Sequence, residues 1–307
     1  MADDDRVMEG VYGEPPRALA QAGAGAAQFS PLIPGAAALE EVAPESLAAM
    51  TMLAPPGAVE RRRVLALALR ALTPDAPLTA MAPKDKGGSR LGKELAAFGC
   101  EVIETAKRHH RICVVRRPAA PQGLDAAIAA GAMQRPPGLD LWSQPGVFSW
   151  DRVDPGSALL AAQLPAMTGA GADLGAGVGV LARRVLASAA VTRLHLVDID
   201  RRAVEAARRN VDDPRATFQW ADVRAGGPAA QTLDFVVMNP PFHDGGAEDR
   251  TLGQAFIRHA AALLRKGGCC WLVANRHLPY EAELSSAFAK ATLKAEAGGY
   301  KVYEARR

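Results

Sequence analysis

The chain has 307 residues, of which 49% are hydrophobic and 22% charged, a composition typical of globular proteins and not of disordered or fibrous ones. The length favours two domains over one. Four cysteines, none in a C-x-x-C pair, are expected to be reduced core residues of a cytoplasmic protein. The acidic start is unlike a basic signal peptide, and the apolar run 64–72 is too short to span a bilayer.

The net charge of +3 hides an uneven distribution of charged residues along the chain. Residues 1–50 hold eight acidic and two basic side chains, whereas residues 61–117 hold thirteen basic and five acidic ones. A basic block of this size is typical of a surface that binds polyanions. It is also compatible with a solvated surface that balances the acidic start. On charge alone, nucleic acid is the favoured partner.

The first half of the chain divides into three stretches by composition. Residues 1–45 are rich in proline, glycine and alanine, and predict a partly ordered acidic arm. In residues 46–117, short apolar runs alternate with helical patterns such as 60–72, and this alternation predicts a small α/β domain. Residues 118–145 hold five prolines around a short helical pattern, 123–130, and predict a linker.

The second half, residues 146–307, shows a cleaner alternation of strand and helix patterns. Such alternation predicts a parallel, doubly wound sheet. Gly298-Gly299 between two apolar runs predicts a hairpin that adds an antiparallel edge at the C-terminus. We therefore expect an α/β protein with a Rossmann-like, mostly parallel sheet and a C-terminal antiparallel hairpin, preceded by a smaller α/β domain.

The most informative stretch is Asn239-Pro240-Pro241-Phe242, directly after the apolar run 235–238. The two prolines fix φ at about −65° and remove two N–H donors, and Asn239 is kept extended by the proline after it. We call residues 239–242 the proline bracket. It presents an amide, backbone carbonyls and an aromatic ring, which suit a flat molecule with an exocyclic amino group. Taken alone, the stretch is equally compatible with a turn that ends a strand.

A glycine-rich turn, residues 173–179, lies between a predicted strand and a predicted helix. It holds Asp173 and three glycines at alternate positions, Gly175, Gly177 and Gly179. Glycines at this spacing allow a sharp turn and the close approach of a ligand. The third glycine falls one place short of the dinucleotide fingerprint, which argues against NAD and for a nucleoside without a pyrophosphate.

Two aspartates, Asp198 and Asp222, lie at the ends of the next two predicted strands. Asp198 is nineteen positions beyond Gly179, where a carboxylate can bind both ribose hydroxyls of an adenosine. Asp200 is predicted to cap the helix that begins at Arg201. Asp222 could accept a hydrogen bond from an adenine amino group, or be an ordinary loop aspartate. In an open parallel sheet the glycine turn, Asp198, Asp222 and the proline bracket all meet at the carboxyl edge.

With these motifs, the second half resembles a class I S-adenosylmethionine-dependent methyltransferase. The string 237–245 (Val-Met-Asn-Pro-Pro-Phe-His-Asp-Gly), with 145–149 before it and 272–280 after it, is similar to the bacterial ribosomal RNA guanine-N2 methyltransferases of the RsmC and RlmG type, which carry the methyltransferase small domain. The resemblance covers roughly residues 50–307. It implies S-adenosylmethionine as cofactor and a guanine of ribosomal RNA as substrate. It also implies that the first domain is a degenerate, RNA-binding copy of the methyltransferase fold, with residues 84–92 where a glycine motif would lie.

The resemblance also implies roles for individual residues. Asn239 and Pro240 would accept the two protons of the guanine amine, and Phe242 would hold the base. His243 would contact RNA or take a late proton, or else pack on Phe242. The implied catalytic residues are Asn239, Pro240 and Phe242. The implied cofactor-binding residues are Asp173, Gly175, Gly177, Gly179, Asp198, Asp222 and Asn239. The implied substrate-binding residues are Pro241, Phe242, His243, Lys84, Lys86 and Arg90, with the basic run 107–111 as a further phosphate contact.

We expect a monomer that acts on ribosomal RNA or a ribosomal subunit, without a membrane or a metal. His109 and His110 are read as surface residues because no ligand partner stands at the required spacing. One alternative is a methyltransferase for the glutamine amide of a protein, but such enzymes carry tyrosine in place of Phe242 and a helical first domain. Methylation of another planar amino group and an RNA-binding factor without catalysis are the others. Intact Asp173, Asp198 and Asn239 argue against the last.

Overall fold

A computed structural model describes residues 8–241, 243–244, 247–248 and 250–307. The chain divides into two compact units, Met1–Ala132 and Met133–Arg307, and each is built around one large sheet. No helix among the described residues is long and apolar enough to cross a membrane.

The first unit contains a six-stranded sheet in the order β2-β1-β3-β4-β6-β5. Its strands are β1 (Met8–Tyr12), β2 (Ala27–Gln28), β3 (Leu47–Leu53), β4 (Pro77–Pro83), β5 (Ile103–Lys107) and β6 (His110–Arg116). Its helices are α1 (Ala58–Ala71), α2 (Ser89–Ala96) and α3 (Leu124–Ala130), with a 3-10 turn at Leu39–Glu41 and an irregular π-type turn at Lys84–Gly88. The strands from β2 to β4 are parallel, and β6 runs antiparallel to both β4 and β5.

The second unit contains a seven-stranded sheet in the order β14-β15-β13-β10-β7-β8-β9. Its strands are β7 (Gly169–Leu174), β8 (Val191–Asp198), β9 (Ala216–Trp220), β10 (Leu233–Met238), β11 (His243–Asp244), β12 (Ala247–Glu248), β13 (Leu264–Asn275), β14 (Lys290–Ala297) and β15 (Tyr300–Arg306), of which β11 and β12 form a separate pair. Its helices are α4 (Pro155–Gln163), α5 (Val180–Leu186), α6 (Arg201–Asn210), α7 (Arg250–Leu263) and α8 (Glu281–Ala287). The predicted C-terminal hairpin is β14–β15, antiparallel at the sheet edge.

The sheet of the first unit repeats the topology of the second, which supports the expectation of a degenerate copy. Its strand order and directions repeat those of β8-β7-β10-β13-β15-β14, so that β9 is the one strand of the seven-stranded sheet without a counterpart among the described residues. Ala54-Pro55-Pro56-Gly57 follows β3 as the proline bracket follows β10. On this register Tyr12, paired with Met52, replaces Asp173, paired with Val237. The first unit therefore lacks both the acid and the amide of the second.

This correspondence corrects the expectation for residues 84–92. They follow β4, whose counterpart is β13, so they do not stand where a glycine motif would lie. The counterpart of the glycine turn follows β1, where the sequence reads Gly13-Glu14-Pro15-Pro16. Gly88 has a packing role instead, because a Cβ there would lie 2.5 Å from the carbonyl oxygen of Ala82.

The predicted arm is wrong, and the predicted linker is wrong in part, because most of it is packed into one unit or the other. Within residues 8–45, β1 lies between β2 and β3 in the first sheet, and Phe29 and Leu39 are buried in its core. Within residues 118–145, α3 packs on α1, whereas Leu139 and Leu141 belong to a cluster in the second unit. The boundary at 132–133 therefore lies inside the stretch predicted to be a linker. The short strands within residues 8–45 and the apolar contacts of residues 133–145 left no periodic pattern to detect.

The cysteines are free, as predicted. Cys100, Cys113 and Cys270 are buried and Cys269 is half-buried. Burial raises the pKa of the Cys100 and Cys113 thiols to about 11, so both remain protonated core groups at neutral pH.

Candidate active site

The glycine turn has the geometry that its sequence predicts. Gly175, Gly177 and Gly179 have φ values of +72°, +53° and +89°, in the left-handed region that favours glycine. A Cβ on Gly175 would lie 3.8 Å from the backbone oxygen of Asn239, so the turn and the proline bracket are neighbours. A Cβ on Gly177 would meet no atom within 4 Å among the described residues. The turn is therefore open to a ligand at Gly177 and closed by the protein at Gly175.

Asp198 ties the glycine turn to the end of β8. Its Oδ2 accepts a hydrogen bond of 2.8 Å from the Gly177 N–H, and its Oδ1 accepts one of 2.9 Å from the Asp200 N–H. Burial raises the pKa of Asp198 to about 6, against the lowering effect of these N–H donors. Asp200 caps α6, as predicted, by accepting a 3.0 Å hydrogen bond from the Arg202 N–H. Asp198, the residue predicted to bind the ribose, is thus held at the carboxyl edge of the sheet beside the glycine turn.

Asp173 is the penultimate residue of the interior strand β7 and is completely buried. Neither of its carboxylate oxygens receives a hydrogen bond of normal geometry among the described residues, although the backbone N–H of Ala182 is near. Burial, and then the charge of Asp198, raise the pKa of Asp173 to about 8, against the lowering effect of the Ala182 N–H. Buried polar groups are normally paired, so an unpaired carboxyl next to an open glycine turn fits a ligand with a cationic or hydrogen-bonding group. S-adenosylmethionine offers an ammonium group, a sulfonium and ribose hydroxyls, and the residues present fit it.

Asn239 in the proline bracket is held by the start of α4. Its Nδ2 donates to Asp154 Oδ2 and to Ser157 Oγ, both at 2.9 Å. Asp154 is also the N-cap of α4 and accepts a 2.8 Å hydrogen bond from the Ser157 N–H. With both amide hydrogens engaged, Oδ1 is left as the acceptor end of the side chain. Behind it, Pro240 is buried and Pro241 half-buried.

The sequence interpretation missed Asp154 and Ser157. Asp154 followed by Pro155 is a recognisable helix start, with a capping side chain and proline at the first helical position. Nothing local connects this cap to Asn239, which lies 85 positions further along the chain.

Other predicted site residues have less defined surroundings. The carboxylate of Asp222 pairs with Arg224 at 2.5 Å, and this hydrogen bond lowers its pKa. A ligand at Asp222 would therefore share the carboxylate with Arg224. Phe242 lies outside the described residues, and for His243 only the backbone is described, in β11 opposite Glu248.

The three predicted phosphate-binding residues belong to the first unit. Lys84 and Arg90 are exposed, and Lys86 is half-buried. The Lys84 N–H donates to the His109 carbonyl at 2.8 Å, so residues 84–90 lie next to the tip of the β5–β6 hairpin. The two basic stretches of the sequence therefore meet at one end of the six-stranded sheet. Among the described residues, no group of histidine, cysteine and acidic side chains could hold a metal ion.

Comparison with known proteins shows the family. Residues 138–304 match the family described as methyltransferase small domain. The chain is 32% identical to the ribosomal RNA small subunit methyltransferase C of Pseudomonas aeruginosa (strain LESB58), over 92% of this chain and 86% of that protein. It is also 32% identical to the protein of the same name from Shewanella pealeana, over 77% of this chain and 71% of that one.

A solved structure shows the same architecture. The T. thermophilus 16S rRNA N2 G1207 methyltransferase (RsmC), in complex with AdoMet and guanosine, has a TM-score of 0.79 to this chain and 25% sequence identity. The match covers 98% of this chain and 88% of that one. The predicted fold class, enzyme class and cofactor are confirmed, and the chain belongs to the S-adenosylmethionine-dependent ribosomal RNA methyltransferases of the small subunit methyltransferase C family.

Proposed function

We propose that this enzyme transfers the methyl group of S-adenosylmethionine to the exocyclic N2 amine of a guanine in small-subunit ribosomal RNA. The observation that carries the proposal is the juxtaposition of the glycine turn and the proline bracket at the carboxyl edge of the second sheet, with Asn239 Oδ1 left as an acceptor. A cofactor held at the turn would thus lie beside a group that binds an amine.

The guanine amine is a poor nucleophile, because its lone pair is delocalised into the ring. Asn239 Oδ1 and the Pro240 carbonyl would accept hydrogen bonds from its two N–H groups and so direct the lone pair at the methyl group. Pro241 carries no N–H that could compete for these acceptors. The contribution of the protein is then positioning and stabilisation of the charge that develops on the nitrogen. Phe242 keeps its predicted role of stacking on the flipped base, and His243 its predicted role of taking a late proton or contacting RNA.

For the cofactor, we propose that Asp173, Asp198 and Asp222 bind its polar groups around the turn formed by Gly175, Gly177 and Gly179. The bound cofactor supplies the electrophilic methyl group. The open side of Gly177 and the unpaired carboxyl of Asp173 support this assignment.

For the RNA, we propose that the first unit binds phosphates with Lys84, Lys86, Arg90 and the basic residues 107–111. The support is that these stretches lie together in the structure, although they are about twenty residues apart in sequence. Such contacts are electrostatic and independent of RNA sequence, so they position the substrate while the proline bracket selects the base.

The test combines nucleoside mass spectrometry with complementation. Ribosomal RNA from cells lacking the gene should lose one N2-methylguanosine, and the wild-type gene should restore it. Asn239→Ala should bind S-adenosylmethionine with nearly unchanged affinity and fail to restore the nucleoside. Ser188→Ala is the matched control, because it deletes a 2.7 Å hydrogen bond to the Met167 carbonyl in the same unit, away from the site. Unchanged N2-methylguanosine in the deletion strain would refute the proposed substrate.

A further inference from the structure

The Asp154 carboxylate fixes which end of the Asn239 amide faces the ligand. The oxygen and nitrogen ends of an amide have nearly the same shape, yet only the oxygen can accept a proton from an amine. If the amide were reversed, its NH₂ group would face the guanine amine, donor against donor. A bracket that binds amines therefore needs something that prevents this reversal.

The start of α4 supplies that constraint. A carboxylate can only accept, so Asp154 Oδ2, 2.9 Å away, requires the nitrogen end of Asn239 on its side. Ser157 Oγ takes the second amide hydrogen at the same distance. We propose that Asp154 and Ser157 are positioning residues for methyl transfer, which hold Asn239 Oδ1 towards the substrate amine. This inference rests on the proposed role of Asn239.

The backbone around Asp154 is built so that it approaches Asn239 closely. One carboxylate oxygen accepts from both Asn239 and the Ser157 N–H, so the helix cap and the amide share one anchor. A Cβ on Gly156 would lie 2.8 Å from the Tyr300 ring and 3.1 Å from Asp154 Oδ2. Glycine therefore leaves the space in which the cap, the ring and the amide fit. Helix α4 is itself anchored by Leu160, which is fully buried.

The charge of Asp154 also affects the chemistry at Asn239. A carboxylate that accepts from Nδ2 polarises the amide and increases the negative charge on Oδ1, because hydrogen bonds in a chain strengthen one another. As the methyl group is transferred, positive charge develops on the guanine nitrogen, and a polarised acceptor stabilises it more in the transition state than in the ground state. Asp154 takes no proton in this role. Because it stabilises the transition state more than the ground state, its replacement should lower kcat.

The first experiment separates this role from a structural one. Asp154→Ser keeps a residue that caps helices well but is too short to hold Asn239. We expect kcat to fall about 10- to 100-fold, as for small misplacements of a catalytic group, with the Kd for S-adenosylmethionine and the KM for RNA within about 2-fold of wild type. Ser157→Ala, which leaves the Asp154 cap intact, should lose about 3- to 10-fold in kcat. The controls are Asp213→Ser, which breaks contacts to Arg215 before β9 at the amino edge, and Ser188→Ala.

The second experiment is a double-mutant cycle in single-turnover reactions with excess enzyme. Since Asp154 acts through Asn239, Asp154→Ser should cause no further loss of rate in an Asn239→Ala background. The inference is overturned if Asp154→Ser leaves kcat unchanged, or if it lowers the rate by the same factor with and without Asn239. Wild-type turnover in Asn239→Ala alone would instead remove the proposed role of the bracket, so the two failures are distinguishable.

Discussion

Arg61 binds the segment Ala54-Pro55-Pro56-Gly57, the counterpart of the proline bracket in the first unit. Replacing Arg61 should therefore destabilise the first unit. The Arg61 side chain is 1% exposed. Nε and Nη2 donate to the Glu94 carboxylate at 2.6 and 2.7 Å. Nη1 donates to the carbonyls of Pro55 and Pro56 at 3.2 and 2.7 Å. These two prolines are the counterparts of Pro240 and Pro241. In the first unit, therefore, the guanidinium of Arg61 donates hydrogen bonds to both proline carbonyls.

Arg61→Met would leave the Glu94 carboxylate, which is only 12% exposed, without its partner. Removing one member of a buried ion pair costs about 3–5 kcal/mol. For a unit of this size that corresponds to a fall of roughly 10–15 °C in Tm. The double variant Arg61→Met/Glu94→Leu should recover much of the loss, because it leaves no unpaired charge in the core.

The assay must report on each unit separately. All four tryptophans, at 142, 150, 220 and 271, lie in the second unit, so their fluorescence follows its unfolding. Hydrogen exchange of peptides from β3 and α1 follows the first unit. The control is Arg116→Met, whose partner Asp75 is 80% exposed and whose loss should cost less than about 1 kcal/mol. A cost below about 1 kcal/mol for Arg61→Met, or a double variant no more stable than the single one, would refute this reasoning.

Three further predictions follow from the structure. Gly87→Ala should lower the Tm of the first unit by several degrees, since its φ of +97° strains any other residue and a Cβ would meet the Arg61 guanidinium. Hydrogen exchange of the first unit, as for Arg61→Met, measures this loss. The pKa of Asp173 is raised from 3.8 to about 8, so the free enzyme should lose stability as pH rises through this range. Over the same range its affinity for the cationic cofactor should rise with pH, and this rise should be absent in Asp173→Asn. Calorimetry tests both effects. Lys84→Glu/Arg90→Glu should weaken RNA binding and reduce the slope of log Kd against log salt by about 1–2, unlike Arg62→Glu/Arg116→Glu.

The parts of the site that the sequence predicted are those whose chemistry lies within a few consecutive residues. The glycine turn, the Asp200 cap and the proline bracket each need a local backbone conformation that only certain residues adopt. Asp198 was predictable because it ends the strand next to the turn. Strand β1 was missed because only Gly10 and Tyr12 of its five residues are buried, too few to form an alternating pattern.

The misinterpreted residues depend on contacts between distant parts of the chain. Gly87 and Gly88 resemble a ligand-binding motif, but Gly87 makes room for Arg61, whose partner Glu94 is 33 positions away from it. Ala54-Pro55-Pro56-Gly57 lacks the asparagine and the aromatic ring of the proline bracket, so only the strand order shows the correspondence. Asp154 has an ordinary capping sequence, and its second role appears only when α4 is placed beside β10.

The two brackets together argue for the chemistry of the substrate. In the first unit, the proline carbonyls bind a planar guanidinium through its N–H donors. The edge of guanine at C2, where one carbon carries three nitrogens, is itself a guanidine, and its exocyclic amine presents N–H donors in the same plane. In the second unit the Pro240 carbonyl has the same scaffold and an added acceptor, Asn239, held by Asp154. The proline carbonyls of the first unit thus bind the N–H donors of an internal side chain, and we expect the Pro240 carbonyl to bind those of a base in the same way. The first unit keeps the two prolines but has no counterpart of Asn239 or Asp173, so it can bind an arginine of the chain without the groups proposed for methyl transfer.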